Sequence, residues 1–284
     1  MRRWNLPLDW SYWVGGGVVL CLGLLAFDRV FRLALGFDRA PLGRRLLALG
    51  VLGVFWLLGL APVMQPADTW SLLIASLTIA AFLSEERRLL LSTLALTLAA
   101  LNKETPFFFL PLLAYLEWSQ RGWRRALTSC LLAPLPGLAL YLWIHWRHPV
   151  SYGFPLDEAL INWRSILGTI RHGEAFRLGG PDIWLWVFLA AFFAIGCRWR
   201  SLSPTLKAMT WASLLPLGID LTFGYPTEFR IFVDKFPLLL PPLLAPAEET
   251  AVISPRDGVV LSALAVVLIW LVSLIGHAAF HLVR

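Results

Sequence analysis

Long apolar runs separated by short polar punctuation set the pattern of this chain. The runs are Ser11–Phe27, Leu46–Val63, Thr69–Ser84, Leu89–Leu101, Pro106–Trp118, Ala126–Trp146, Ile183–Cys197, Leu206–Phe223, Phe236–Leu244 and Val259–Leu282. Several approach the ~20 residues that cross ~30 Å of hydrocarbon as a helix, and others fall short. The pattern predicts an all-α fold: a polytopic transmembrane helical bundle of about ten membrane helices, several short or broken. Short, Pro-bearing helices that end inside the protein are typical where a cavity is built. One integral membrane domain is expected over 1–284. Its one long extramembrane stretch, 147–182, reads as an outer-face loop carrying an amphipathic interfacial helix from Leu156 to Ile170.

The break between two central runs, Leu101-Asn102-Lys103-Glu104-Thr105-Pro106, organises the rest. A Lys and a Glu side by side are costly if lipid-exposed, roughly 2.5–3.5 kcal/mol each at the bilayer centre. They therefore lie at a surface or are buried with partners. Asn102 suits the end of one helix, Thr105 the N-cap of the next and Pro106 its first turn.

Charge supplies the topology. Five arginines lie between Asp28 and Arg45 against two at the N-terminus, which puts that first loop on the cytoplasmic side. Met1–Trp10 resembles a signal-peptide start, but without a small-residue cleavage site it reads as the entry to a membrane helix. Glu85–Arg88, Arg121–Arg125 and Arg198–Lys207 follow as further cytoplasmic clusters. Alternation then places Gln65–Asp68, Asn102–Thr105, Arg147–Asp182 and Gly224–Lys235 together on the outer face.

Composition agrees. The 284 residues are 58% hydrophobic and only 15% charged, where soluble domains carry about 25% charged residues. The net charge of +6 sits in short Arg clusters between apolar runs, which is no nucleic-acid footprint. Cys21, Cys130 and Cys197 show no metal-ligand spacing and read as free thiols. No Gly-rich phosphate loop, metal-ligand set or nucleophile elbow is present in the sequence.

The candidate site residues are those outer-face polar groups. Lys103 and Glu104 read as a recessed polar site or, structurally, as a capped turn with an ion pair. In Gly224–Lys235, Glu228 and Arg230 share a side only if the backbone is extended. Helical geometry instead pairs Arg230 with Asp234. An Arg fork there suits bidentate phosphate binding, with an interfacial anchor as the structural reading. Asp68 is a helix N-cap or a cavity acid. Asp220 is an acid near the outer end of an apolar run. His145 and Arg147 end another helix, where the macrodipole also favours them.

On Leu101-Asn102-Lys103-Glu104-Thr105, Leu110-Pro111-Leu112-Leu113, Asp68, Glu228-Phe229-Arg230 and Pro237-Leu238-Leu239, the chain resembles bacterial GT-C-class membrane glycosyltransferases. The resemblance covers roughly Leu46 to Leu244. It implies transfer of a sugar from a polyprenyl-phosphate carrier at the outer face of the bacterial inner membrane. Asp68 or Glu104 would be the catalytic carboxylate that orients or deprotonates the acceptor hydroxyl. Asn102, Lys103, Thr105, Asp220, Glu228, Arg230, His145 and Arg147 would line the substrate and phosphate site. The chain departs from the class at its first loop, which is Arg-rich where an acidic outer loop is usual. Alternative readings are a non-catalytic membrane subunit that binds lipid or packs in a complex, and a transporter or flippase. No cofactor is implied, a divalent cation being the one left open. The expected partners are membrane lipid, the polyprenyl-phosphate sugar and a partner membrane subunit, with no nucleic acid.

Overall fold

The computed structural model describes residues 7–36, 42–55, 66–101, 105–147, 182–223, 234–245 and 254–267. Among these residues the chain is all-helical, with no strand. The helices are α1 (Pro7–Leu35), α2 (Leu42–Phe55), α3 (Pro66–Leu83), α4 (Arg88–Ala99), α5 (Leu110–Arg121), α6 (Trp123–Leu132), α7 (Leu135–Arg147), α8 (Asp182–Cys197), α9 (Pro204–Phe223) and α10 (Phe236–Leu244). Residues 255–267 form α11.

The most extensive contact joins α1 to α3. A Cβ on Gly23 would lie 3.4 Å from the Leu73 amide nitrogen and against the Leu72 side chain, so the two backbones approach closely there. Further along both helices, Val30 and Ala34 of α1 join Ile79, Phe82 and Leu83 of α3 in one buried cluster. Contacts that advance together mean the two helices run parallel, with α2 returning between them. The C-terminal ends of α1 and α3 therefore share one end of the molecule, here the arginine end.

Apolar side chains fill the core and also cover much of the surface. On α4 the exposed residues are Leu90, Leu91, Leu94 and Leu98, and Leu101 follows them; the buried ones include Arg88 and Ser92. Leu127, Leu131, Leu135, Leu138, Leu142 and Trp146 carry the same outward stripe along α6 and α7. Large contiguous exposed apolar patches mark protein or membrane interaction sites. Inside lie Ser71, Ser76, Thr78, Ser129, Thr210 and Ser213, all buried. Thr78 donates to the Ile74 carbonyl at 2.8 Å and Thr210 to the Leu206 carbonyl at 2.9 Å, so those hydroxyls are satisfied within their own helices.

Trp123–Arg147, 25 residues through α6 and α7, is the one helix among the described residues long and apolar enough by itself to cross a membrane. Trp123 near its start and Trp146 near its end are both exposed, and Arg124 and Arg147 lie over those two rings at 5.6 Å each. Three shorter apolar helices, Trp70–Leu83, Arg88–Ala99 and Val187–Cys197, fall below that length.

Several expected boundaries move. Asp28–Arg45 is not one loop: Asp28, Arg29 and Arg32 belong to α1, and Arg44 and Arg45 to the first turn of α2. Ion pairing there, described below, extends both helices into the arginine cluster. Thr105 does not cap an α-helix directly. It opens a 3₁₀ turn, Thr105–Phe109, and α5 starts at Leu110 with Pro111 in its first turn. The single run Ala126–Trp146 is interrupted at Ala133–Pro134, because Pro134 and Pro136 remove backbone donors. Gly122, at φ +85°, makes the reversal from α5 to α6. The expected helix Leu156–Ile170 lies outside the described residues.

Candidate functional site

Two carboxylates organise the arginine end, and each is bracketed in the same way. Asp28 takes Arg45 bidentately, at 2.7 Å from Nε and 2.8 Å from Nη2, and pairs with Arg32, four residues along its own helix, at 3.0 Å. Glu117 takes Arg88 at 3.3 Å and pairs with Arg121, again four residues along, at 3.4 Å. Arg88 and Glu117 are each only 1% exposed. Arg121 reaches on to the Glu85 carbonyl at 2.8 Å, binding the α3–α4 connection to the end of α5. Each acid thus joins its own helix to a neighbour: Asp28 links α1 to α2, and Glu117 links α5 to α4.

The same end closes over α10. Pro241 and Pro242 have no N–H, so the Pro237 and Leu238 carbonyls lose their usual donors. The last carbonyls of the helix are met by side chains instead. Arg44 donates to Leu244 at 3.0 Å, and Arg198 donates to Ala245 at 2.9 Å, to Pro242 at 3.4 Å and to Leu243. Two cations at a helix C-terminus complement its dipole. Burial, and then the nearby Arg44 cation, lowers the Arg198 guanidinium from its ordinary value.

The other end of α10 holds a second kind of charge. Asp234 and Lys235, in the turn that opens the helix, are 2% and 0% exposed and pair with each other at 2.5 Å. Their depth follows from helix lengths. α9 has 20 residues, so it rises about 30 Å from the arginine end at 1.5 Å per residue. α10 has nine, so it rises only about 13 Å from the same end. The pair therefore sits about halfway up the bundle. Backbone that turns at such depth in a membrane requires protein or a water-filled cavity around it.

The 3₁₀ turn at Thr105 packs against α3, α4, α5 and α9, with Thr105 4% exposed and Phe109 fully buried. Gly137 fixes its surroundings. A Cβ there would lie 2.7 Å from the Leu96 carbonyl oxygen and 3.1 Å from the Phe107 ring. Only glycine lets α7 approach α4 so closely beside the turn.

Of the sequence-derived candidates, Thr105 is in place and buried. Asp68 and Asp220 lie on described backbone, at the start of α3 and near the end of α9, while their side chains lie outside the described residues. Both positions, like the Thr105 turn and the end of α7, are at the end opposite the arginines. His145 and Arg147 have local partners: His145 Nδ1 lies 3.0 Å from the Tyr141 carbonyl, which requires a proton on Nδ1, and exposed Arg147 lies over Trp146. Asn102, Lys103, Glu104, Glu228 and Arg230 lie outside the described residues. Sequence reasoning had not singled out Arg88, Glu117 or Asp28 as buried ion-pair partners, nor the Asp234–Lys235 pair as a site. A readable signal existed for Glu117, a lone acid toward the end of an apolar run with Arg121 four residues on.

No protein-family model, no curated protein and no solved structure matches this chain.

Proposed function

We propose that this chain is a multi-pass integral membrane protein, with its arginine end in the cytoplasm and a recessed polar site opening to the outer face. The observation that carries this reading is the apolar surface, with leucine stripes facing outward on α4, α6 and α7 over an apolar core that also encloses serine, threonine and ion pairs. Paired tryptophans at both ends of the α6–α7 span suit the two membrane interfaces. Arginines gathered at one end suit the cytoplasmic leaflet. Helices too short to span alone are accommodated where neighbours enclose a cavity. Membrane context is the best account of this surface.

The reaction proposed is sugar transfer from a polyprenyl-phosphate carrier. Arg230 and Lys103 would neutralise the departing lipid phosphate, and Asp68 or Glu104 would orient or deprotonate the acceptor hydroxyl. Support comes from the short α10, which starts the chain about halfway up the bundle just after Glu228 and Arg230. Further support comes from the buried Thr105 turn, just after Lys103 and Glu104. A second reading, a lipid-binding subunit without turnover, is favoured by one observation. The mid-bundle Asp234 and Lys235 charges pair with each other.

The test is transfer or release of labelled sugar from polyprenyl-phosphate donors by the purified protein, compared with Glu104→Gln and Arg230→Ala. Turnover that falls at least about tenfold in both variants, about 1.4 kcal/mol of lost barrier stabilisation, supports the transferase. Carrier lipid bound without turnover, and lost in Arg230→Ala, supports the subunit. Neither turnover nor lipid binding overturns both.

A further inference from the structure

Inside the Arg88–Glu117 clasp, hydrogen-bonding capacity and partners do not match. Arg88 gives Nε to the Ser84 carbonyl at 3.1 Å and Nη1 to Glu117 Oε1 at 3.3 Å. Arg121 Nη1 comes to the same oxygen at 3.4 Å. Both guanidiniums therefore converge on Oε1. Arg88 Nη2 and Glu117 Oε2 are buried and have no partner among the described residues. Charge-assisted N–H···O bonds are usually about 2.7–2.9 Å, so the two contacts on Oε1 are long and the clasp is not drawn shut.

Ser92 lies one helical turn from Arg88 on the same face of α4. It is fully buried, and its hydroxyl too has no partner among the described residues. Helical hydroxyls commonly turn back to the carbonyl four residues earlier. Thr93 and Thr97 of the same helix do so, at 2.8 and 2.7 Å. Ser92 leaves that bond unmade, and an unmet buried hydroxyl carries its full desolvation penalty.

The three atoms restrict what can satisfy them. An anion suits Arg88 Nη2 but meets the Glu117 carboxylate. A cation suits Oε2 but meets Arg88 and Arg121. A neutral molecule that accepts from Nη2 and donates to Oε2 suits both, and the Ser92 hydroxyl can answer it as donor or acceptor. Buried water typically makes about three hydrogen bonds of this kind.

We propose that the clasp is a binding site for one water molecule, bridging Arg88 Nη2 to Glu117 Oε2 with Ser92 Oγ as its third partner. The water joins α4 to α5 alongside the direct ion pair. It supplies hydrogen bonds but no counter-charge, so Arg88 still depends on Glu117. The site rests on contacts inside the bundle and requires neither the membrane reading nor sugar transfer.

X-ray footprinting of the purified full chain tests it, because radicals formed from a bound water oxidise the side chains around it whatever their exposure to bulk solvent. Rates are normalised to the intrinsic reactivity of each residue type. Arg88 and Glu117 should be labelled several-fold faster than Ile79 and Phe82, which are as deeply buried and apolar. Ser92→Val, which puts methyl groups in place of the hydroxyl, should bring both down to the level of Phe82. Ser92→Ala removes one partner without adding bulk, should lower both partway, and carries the test if the valine variant does not fold. Labelling of Arg88 and Glu117 no faster than that of Ile79 and Phe82 in the parent protein overturns the site, as does labelling that a folded Ser92 variant leaves unchanged. An experimental density map in which Arg88 and Glu117 close on each other through both nitrogens and both oxygens overturns it as well.

Discussion

The arginine end and the middle of this bundle bury charge in opposite ways. At the arginine end, Asp28 and Glu117 each take one arginine from their own helix and one from a neighbour. Those pairs join elements far apart in sequence, so they hold helices together. Halfway up, Asp234 and Lys235 are sequence neighbours paired with each other. The bond between these adjacent residues does not by itself link two helices, and desolvating two charges is expensive. Burial of the first kind is explained by architecture. Burial of the second kind is not explained by that bond, and the polar site proposed above would account for it.

The sharpest way to break this comparison is to remove one acid from the arginine end. Glu117→Ala leaves Arg88 buried at 1% exposure without its counterion. Loss of one partner of a buried pair costs about 3–5 kcal/mol. Thermal unfolding in a membrane mimetic should show a large drop in midpoint. A drop no greater than that of an exposed pair would mean water reaches Arg88, and the architectural reading of Glu117 would fail.

Next in size is Gly137→Val. The added Cβ would meet the Leu96 carbonyl and the Phe107 ring, forcing α7 off α4. Overpacking of this kind costs about 1–3 kcal/mol. Because the strain falls beside the Thr105 turn, the sugar transfer proposed above, if the protein performs it, should fall more than the melting point implies. Gly43→Val, with nothing within 4 Å of its Cβ, is the control and should leave packing there unchanged.

Arg200→Ala should do much less. Arg200 meets Asp257 at 2.9 Å and joins α8's end to α11, but its side chain is 74% exposed. Exposed pairs contribute about 0–1 kcal/mol. The helix crossing itself is set by glycine. A Cβ on Gly196 would come within 2.7 Å of the Gly258 Cα, and the Ser254 amide donates to Cys197 at 2.8 Å. A loss well above 1 kcal/mol would show that the salt bridge, rather than close backbone approach, carries the α8–α11 contact.

The helical class was legible in the hydropathy pattern because apolar runs broken by Pro, Gly and charge leave few other folds. Phe236–Leu244 was read to the residue, since Lys235 before it and the Ala-Pro-Ala-Glu-Glu that follows bound it on both sides. The break after Leu101 was also legible, because a Lys-Glu pair and a proline cannot continue an apolar helix at low energy. Its form was not: Thr105 and Pro106 open a 3₁₀ turn, and three phenylalanines decide where α5 begins through packing. The Arg88–Glu117 pair was hidden for a different reason. Arg88 taken singly looks like loop charge, and only the return of the chain through the Thr105 turn brings Glu117 within 3.3 Å of it.

The smallest stability effect and the largest functional one should coincide at Asp234→Asn/Lys235→Met. Replacing both members of a buried ion pair by neutral groups of similar size is often neutral or stabilising, so unfolding should change by no more than about 1 kcal/mol. If the pair forms the floor of the outer-facing site, carrier-lipid binding or sugar transfer should fall at least about tenfold in the same variant. Lys235→Met alone separates the terms, because it leaves Asp234 buried without that cation and should destabilise more than the double substitution does. A double variant that unfolds several kcal/mol early would place Asp234 and Lys235 with the arginine-end clasps. A double variant that is both stable and fully active would leave their burial without a role. Stability retained with function lost is the outcome that only a site explains.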